Sequence, residues 1–309
     1  MRFRGIYTPI ITPFHDDYSI DWDAYADVIE FQVENGAAGV IVGGSTGEVY
    51  TLSKEERLKQ IDFARDRLRD RALLMVGVND LRWTETLEIA EAAREKGAGS
   101  LLVAAPPYAL PSAKELAQHV LMIDRAARLP IMLYNYPGRT GVHMGEEFLS
   151  RAAASTNVCA IKESSGDVNR YHLLYREFPQ IQLIVGAEDQ VLETLAWGAE
   201  AWVCATANIF PHECRRFLEI CGYSGDFVTG RRIMSALLPL MHALEQGGKF
   251  IQCVKYGAEM QGLKPGVARP PMRPMKKELA REMDEIVRTA RTVVNAIIDE
   301  RANHPAKGA

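Results

Sequence analysis

The sequence predicts an α/β protein, a (β/α)8 barrel with a C-terminal helical extension. Three observations carry this expectation. Eight short aliphatic or β-branched runs recur up to residue 205, each is followed by a stretch of helical periodicity, and the runs are apolar almost throughout instead of alternating. Strands that are apolar on both faces are buried on both faces, and strand–helix alternation makes a parallel sheet. Eight such units suit a closed barrel better than an open, doubly wound sheet, which is the alternative.

In chain order the runs are residues 6–11, 39–44, 73–78, 100–105, 131–136, 158–163, 182–186 and 201–205. The intervening stretches carry helix start signals: Asp21 ahead of Trp22, Ser53 ahead of Lys54-Glu55-Glu56, and Ser112 ahead of Ala113-Lys114-Glu115. A short oxygen-bearing side chain there accepts from an otherwise unpaired first-turn amide. Gly36, Gly97 and Gly198 stand where helices must turn back into strands, a position that favours glycine. The barrel is expected to end near Ser224-Gly225, dividing the chain into a catalytic domain, residues 1–225, and a helical domain, residues 226–309. In the second, residues 227–244, 249–261 and 275–301 read as helices, residues 265–274 as a Pro-rich extended connector, and 303–309 as a frayed tail.

With 47% hydrophobic and 25% charged residues and a net charge of −4, the chain has the composition of an ordinary globular protein. Its charges are interspersed, so nothing points to nucleic acid or to a membrane surface as partner, and no apolar run reaches spanning length. Five cysteines without C-x-x-C spacing fit reduced thiols, and a cytoplasmic location is expected. His212-Glu213-Cys214 has metal-ligand residue types, but neighbours on a helix point in different directions and no second cluster completes a site. No metal is expected.

Chemistry should gather at the strand C-termini, where the βα loops converge. Lys162 closes the sixth run before the polar turn Glu163-Ser164-Ser165-Gly166. Desolvation there disfavours the ammonium, and a neutral amine is a nucleophile able to form a Schiff base. The same residue also reads as a strand cap snorkelling to water. After the second run, Gly43-Gly44-Ser45-Thr46-Gly47-Glu48 offers amides and hydroxyls to a carboxylate, or forms an ordinary tight turn. After the fifth, Tyr134 brings a phenol and Arg139 a guanidinium to the same mouth.

Gly44-Ser45-Thr46-Gly47-Glu48, Tyr134-Asn135-Tyr136-Pro137-Gly138-Arg139-Thr140-Gly141 and Ile161-Lys162-Glu163-Ser164-Ser165-Gly166-Asp167 together resemble the dihydrodipicolinate synthase / N-acetylneuraminate lyase family. The resemblance extends to Thr8-Pro9-Ile10-Ile11-Thr12-Pro13-Phe14, Ala105-Pro106-Pro107-Tyr108 and Ala205-Thr206-Ala207-Asn208, nearly the whole chain. It implies a TIM barrel with a helical extension, a homotetramer built from dimers, and class I aldolase chemistry with no cofactor beyond a covalent lysine imine. Carried over by position, it makes Lys162 the imine-forming amine and Tyr134 the general acid/base. Ser45 and Tyr108 join Tyr134 in a hydroxyl relay, Tyr108 being lent by the neighbouring subunit. Thr46 and Gly47 receive the substrate carboxylate, Arg139 holds the carboxylate of the second substrate, and the backbone at Gly186 and Val203 lies near the keto acid.

The resemblance thus implies a lyase joining pyruvate or another 2-oxo acid to a carboxylate-bearing aldehyde, or cleaving the product. A catabolic aldolase, dehydratase or deaminase of 2-keto-3-deoxy or hydroxyproline-type acids is the alternative, and a non-catalytic keto-acid-binding barrel a further one. Where synthases carry Asn-Pro-x-Pro before a Val-Lys pair, this chain reads Gly247-Gly248-Lys249-Phe250-Ile251-Gln252-Cys253-Val254-Lys255. Arg139 argues against a sialic acid lyase.

Overall fold

The computed structural model describes residues 1–303. Eight parallel strands close in sequence order: β1 (Gly5–Pro9), β2 (Gly39–Val42), β3 (Leu73–Gly77), β4 (Ser100–Ala104), β5 (Ile131–Asn135), β6 (Val158–Glu163), β7 (Gln182–Val185) and β8 (Ala201–Val203). Around them lie α1 (Trp22–Glu34), α2 (Lys54–Leu68), α3 (Trp83–Glu95), α4 (Ala113–Ala127), the single turn α5 (Pro137–Thr140), α6 (Glu146–Ala152), α7 (Asn169–Glu177), α8 (Val191–Ala196) and α9 (Pro211–Phe217). The extension consists of α10 (Phe227–Glu245), α11 (Phe250–Glu259) and α12 (Lys277–Asn303). The expected frayed tail falls largely on residues 304–309, outside the described residues; Asn303 itself closes α12.

The start and stop signals act as expected. Ser53 with Glu56 and Ser112 with Glu115 form reciprocal capping boxes, and Asp21 accepts from the Ala24 amide. Gly36, Gly97 and Gly198 adopt φ of 77°, 80° and 86°. Several apolar runs extend past the hydrogen-bonded strands: Ile10 and Ile11 are fully packed although β1 ends at Pro9. Burial continues into the loops, so hydrophobicity alone overshoots the strand ends.

The two faces of the strands build two cores. Outward residues such as Val40, Val76, Leu101, Ile161 and Val185 pack against the helix ring. Inward residues fill the barrel, one or more from every strand: Tyr7, Ile41, Met75, Leu102, Met132, Ala160, Ile184, Ala201 and Val203, with Phe3 beneath. Because strand side chains alternate with period 2, the next inward positions toward the C-terminal mouth are Pro9, Gly43, Gly77, Ala104, Tyr134, Lys162, Gly186 and Ala205. Six of these eight are small or cyclic. The barrel's top layer is therefore left open except for Tyr134 and Lys162, which are register partners on β5 and β6.

The connector between α11 and α12 also closes against the barrel. Gly266 runs beside Phe14, with the Val267 amide donating to the Phe14 carbonyl at 3.3 Å. A Cβ on Gly266 would lie 1.8 Å from that oxygen, so only glycine allows this approach. Lys255 of α11 pairs with Glu48 at 2.8 Å and donates to the Val267 carbonyl at 2.5 Å. The Arg269 amide donates to Glu48 at 3.0 Å and its guanidinium is bound by Glu56 and the Thr51 carbonyl. These contacts bolt the extension to the loop after β2.

Candidate active site

Lys162 sits where the two periodicities place it: inward, 8% exposed, at the mouth end of β6. Its Nζ lies 4.0 Å from the ring centroid of Tyr134. Burial lowers its pKa, while the carboxylates of Glu245 and Glu188 oppose that shift. The next residue, Glu163, points the other way, and its carboxylate is held by Asn135 (2.9 Å), the Ser165 amide (2.8 Å) and Arg170 (3.2 Å). With Glu163, Asn135 and Arg170 buried, this set pins the end of β6 and so the lysine's starting point.

Tyr134 is largely buried, and desolvation raises the pKa of its phenol. Glu245 adds to the rise, while Arg139 and a hydrogen bond with Ser45 work against it. The phenol is thus held protonated with a partner ready to stabilise the phenolate. Glu188, three residues beyond β7, is buried and accepts from the Ala205 and Thr206 amides and the Thr206 hydroxyl. Burial, reinforced by Glu245, raises its pKa to about 7 despite these donors.

A small cavity of about 20 Å³ is lined by Ser45, Thr46, Tyr134, Tyr136, Arg139, Lys162, Glu188, Ala205, Glu245 and Phe250. It shares Ser45, Tyr134, Tyr136 and Arg139 with a wider cavity of about 420 Å³, walled by the loops after β2, β3 and β4. The Arg139 guanidinium lies 5.4 Å from the ring centroid of Tyr136 and 5.5 Å from that of Phe250. A cavity of about 620 Å³ opens elsewhere, among Met1, Arg2, Gln182 and Trp197, without an inward amine or phenol of this kind.

The structure therefore brings together Lys162, Tyr134, Ser45, Thr46 and Arg139. Gly47 is adjacent, but its amide donates to the Gly44 carbonyl at 3.1 Å. Gly186 packs against the stem of the lysine: a Cβ there would lie 2.7 Å from Lys162 Cγ. Val203 belongs to the inner core just below. Tyr108 is 94% exposed on the loop after β4 and lines neither cavity of its own chain's mouth. Sequence reasoning missed Glu188, Glu245, Tyr136 and Phe250. For Glu188 a signal existed, an acid just past a strand end; for Glu245 and Phe250, far along the chain beyond the barrel, none did. Among the described residues no three His, Cys, Asp or Glu side chains cluster as a metal site, and no helix is long and apolar enough to cross a membrane.

Residues 2–290 match the Dihydrodipicolinate synthetase family. A 4-hydroxy-tetrahydrodipicolinate synthase of Caldicellulosiruptor bescii is 31% identical over 280 residues, 89% of this chain and 93% of that protein. The enzyme of that name from Methanocaldococcus jannaschii is also 31% identical, over 293 residues, 93% of this chain and 98% of the other. Among solved structures, the 4-hydroxy-tetrahydrodipicolinate synthase of Methylacidiphilum fumariolicum SolV superposes with a TM-score of 0.91 at 27% identity, covering 96% and 98% of the two chains.

Proposed function

This chain belongs to the dihydrodipicolinate synthetase family, and on that premise we propose how its own residues carry out the chemistry. It is a lyase of the class I aldolase type that acts on pyruvate through a lysine Schiff base and needs no cofactor. The observation that carries the residue assignment is a desolvated Lys162 amine 4.0 Å from the Tyr134 ring centroid, in one cavity with Ser45, Thr46 and Arg139.

In this reading neutral Lys162 attacks the C2 carbonyl of the 2-oxo acid while Tyr134 supplies the proton that lets the carbinolamine lose water. The protonated imine draws electrons from C3, a proton leaves C3, and the enamine adds to the aldehyde carbon of the second substrate. Hydrolysis of the product imine then frees the lysine. Ser45 hydrogen-bonds the Tyr134 phenol and lowers the cost of its transient phenolate, and Thr46 and the Gly47 turn orient the keto-acid carboxylate. Gly186 and Val203 shape the floor. Arg139 takes the carboxylate of a second substrate.

The chain works as a homo-oligomer, a dimer or tetramer, in the cytoplasm. Tyr108 and Leu110 on the loop after β4, Leu81 on the loop after β3 and Trp83 at the start of α3 are 94%, 62%, 74% and 58% exposed, an apolar surface suited to a second copy that would place Tyr108 near a neighbouring relay. The five described cysteines are free and buried, as in a reducing compartment. Incubation with pyruvate and borohydride, followed by peptide mass spectrometry, tests the assignment. The expected result is a reduced adduct on Lys162, absent in Lys162→Ala. An adduct on another lysine, or none with any 2-oxo acid, overturns it.

A further inference from the structure

Glu48 closes the turn that presents Ser45 and Thr46 to the reacting cavity, and its backbone is left-handed, with φ of 56°. That conformation is costly for a residue with a Cβ and a long side chain, and it persists where the surroundings hold it. Here the hold comes from the extension. The fully buried Glu48 carboxylate is paired with Lys255 of α11 at 2.8 Å and accepts from the Arg269 amide at 3.0 Å, 221 residues along the chain. A second support reaches the turn from the segment after β1, where the Thr12 hydroxyl donates to the Gly47 carbonyl at 2.8 Å. Two residues on, the Phe14 ring centroid lies 4.6 Å from Lys255 Nζ and 4.3 Å from the Arg269 guanidinium. Both supports of the turn therefore rest on the same two residues of the extension. A buried ion pair gains little net stability, because desolvation offsets its Coulomb attraction, but losing either partner is costly, so the pair enforces one geometry.

We infer that Lys255, with the Arg269 amide, is a positioning residue for the substrate carboxylate: the extension sets the turn of residues 45–48 and through it the affinity for the 2-oxo acid. The inference rests on the reading of Thr46 and the Gly47 turn as the keto-acid carboxylate contact. Lys255 lines neither cavity of the mouth and acts only through Glu48. The carboxylate is unchanged between the bound 2-oxo acid and its imine, so a misplaced turn weakens both alike and appears in the concentration needed, not in the maximal rate. Coupling is reciprocal: a ligand that binds the set turn also holds the connector against Glu48.

The test follows borohydride trapping of pyruvate on Lys162 as a function of pyruvate concentration. The double variant Lys255→Met/Glu48→Gln removes both charges together, leaves no buried charge unpaired and keeps an acceptor for the Arg269 amide. Its half-saturating concentration is expected to rise about fivefold or more, with the maximal rate within about twofold of wild type. Tyr256→Phe removes a 3.1 Å hydrogen bond from α11 to Asp284 of α12, leaves the Glu48 contacts intact, and should match wild type in both. A half-saturation that stays put, that moves less than the maximal rate, or that rises equally in Tyr256→Phe overturns the inference. Hydrogen exchange on the wild type decides the matter even if a variant folds poorly. With saturating pyruvate, the peptide carrying the Val267 and Arg269 amides should exchange about fivefold or more slowly, beyond any slowing in α12; slowing no greater than that of α12 overturns the inference. Trapping keeps the two failures apart: an adduct on Lys162 without these effects sinks only this inference, while no adduct sinks the reading beneath it.

Discussion

Replacing Gly186 by alanine adds a single methyl group beside the stem of Lys162. An ideal Cβ would lie 2.4 Å from Ser164 Oγ, 2.6 Å from the Glu163 carbonyl oxygen and 2.7 Å from Lys162 Cγ. Ordinary contacts of a methyl carbon are about 3.5 Å or more, so each pair overlaps by roughly an ångström. The Ser164 hydroxyl can rotate away. The Glu163 carbonyl is fixed, because it accepts from the Ala187 amide at 3.0 Å. The cheapest remaining relief is to displace the Lys162 stem. Overpacking of this kind costs about 1–3 kcal/mol of stability, which a domain of this size survives. A nucleophile moved by about 1 Å, however, loses about a hundredfold in rate. Gly186→Ala is therefore expected to melt a few degrees below wild type and to trap pyruvate with borohydride about a hundred times more slowly. Gly145→Ala, whose Cβ would sit 3.7 Å from its nearest neighbour, His143, serves as the control and should match wild type in trapping rate. Trapping by Gly186→Ala at the wild-type rate would refute the argument that this glycine exists to make room for the lysine.

Glu188 raises the Lys162 pKa, so Glu188→Gln should let that pKa fall further. More of the amine is then neutral at pH values above about 7, where wild-type Glu188 is ionised, and a limb of the kcat/KM profile set by Lys162 in that range should move to lower pH; a limb that stays put or moves up contradicts the assignment. The same substitution has a stability signature. With a folded pKa of about 7, against about 4.3 for an ordinary glutamate, the folded chain binds the proton more tightly than the unfolded one. Wild type should accordingly lose stability relative to Glu188→Gln as pH rises across that window, measured by denaturant unfolding. Lys255→Met removes one partner of a pair whose side chains are 5% and 0% exposed and leaves the Glu48 carboxylate buried, a loss of about 3–5 kcal/mol. Adding Glu48→Gln should recover part of it; strictly additive losses in that double-mutant cycle would show that the two side chains are not coupled.

Much of this site is legible in the chain itself. The eight apolar runs fix the number of strands, and period 2 divides each run into two faces, of which the packing shows one turned to the barrel axis. Counting inward from Met132 and Ala160 reaches Tyr134 and Lys162, and counting from Ile41, Met75 and Ile184 reaches glycines. The convergence of the βα loops at the strand C-termini is why Ser45, Thr46, Tyr134, Arg139 and Lys162 are expected at one mouth, and the five line one cavity. The capping residues are readable too, because a cap acts within a single turn.

Tertiary structure alone decided the electrostatics. Lys162 was expected to be desolvated, but the two carboxylates that oppose the fall of its pKa come from the loop after β7 and from the end of α10, 26 and 83 residues along the chain. No local pattern links Glu245 to Arg139. They meet because the extension folds back over the barrel, with Gly266 against Phe14 and Lys255 against Glu48, and carries the α10–α11 turn to the mouth. Side-chain alternation and capping are short-range consequences of backbone geometry and can be read from neighbouring residues. The charge that a buried group feels sums over everything packed around it, and that sum exists only once the chain has closed.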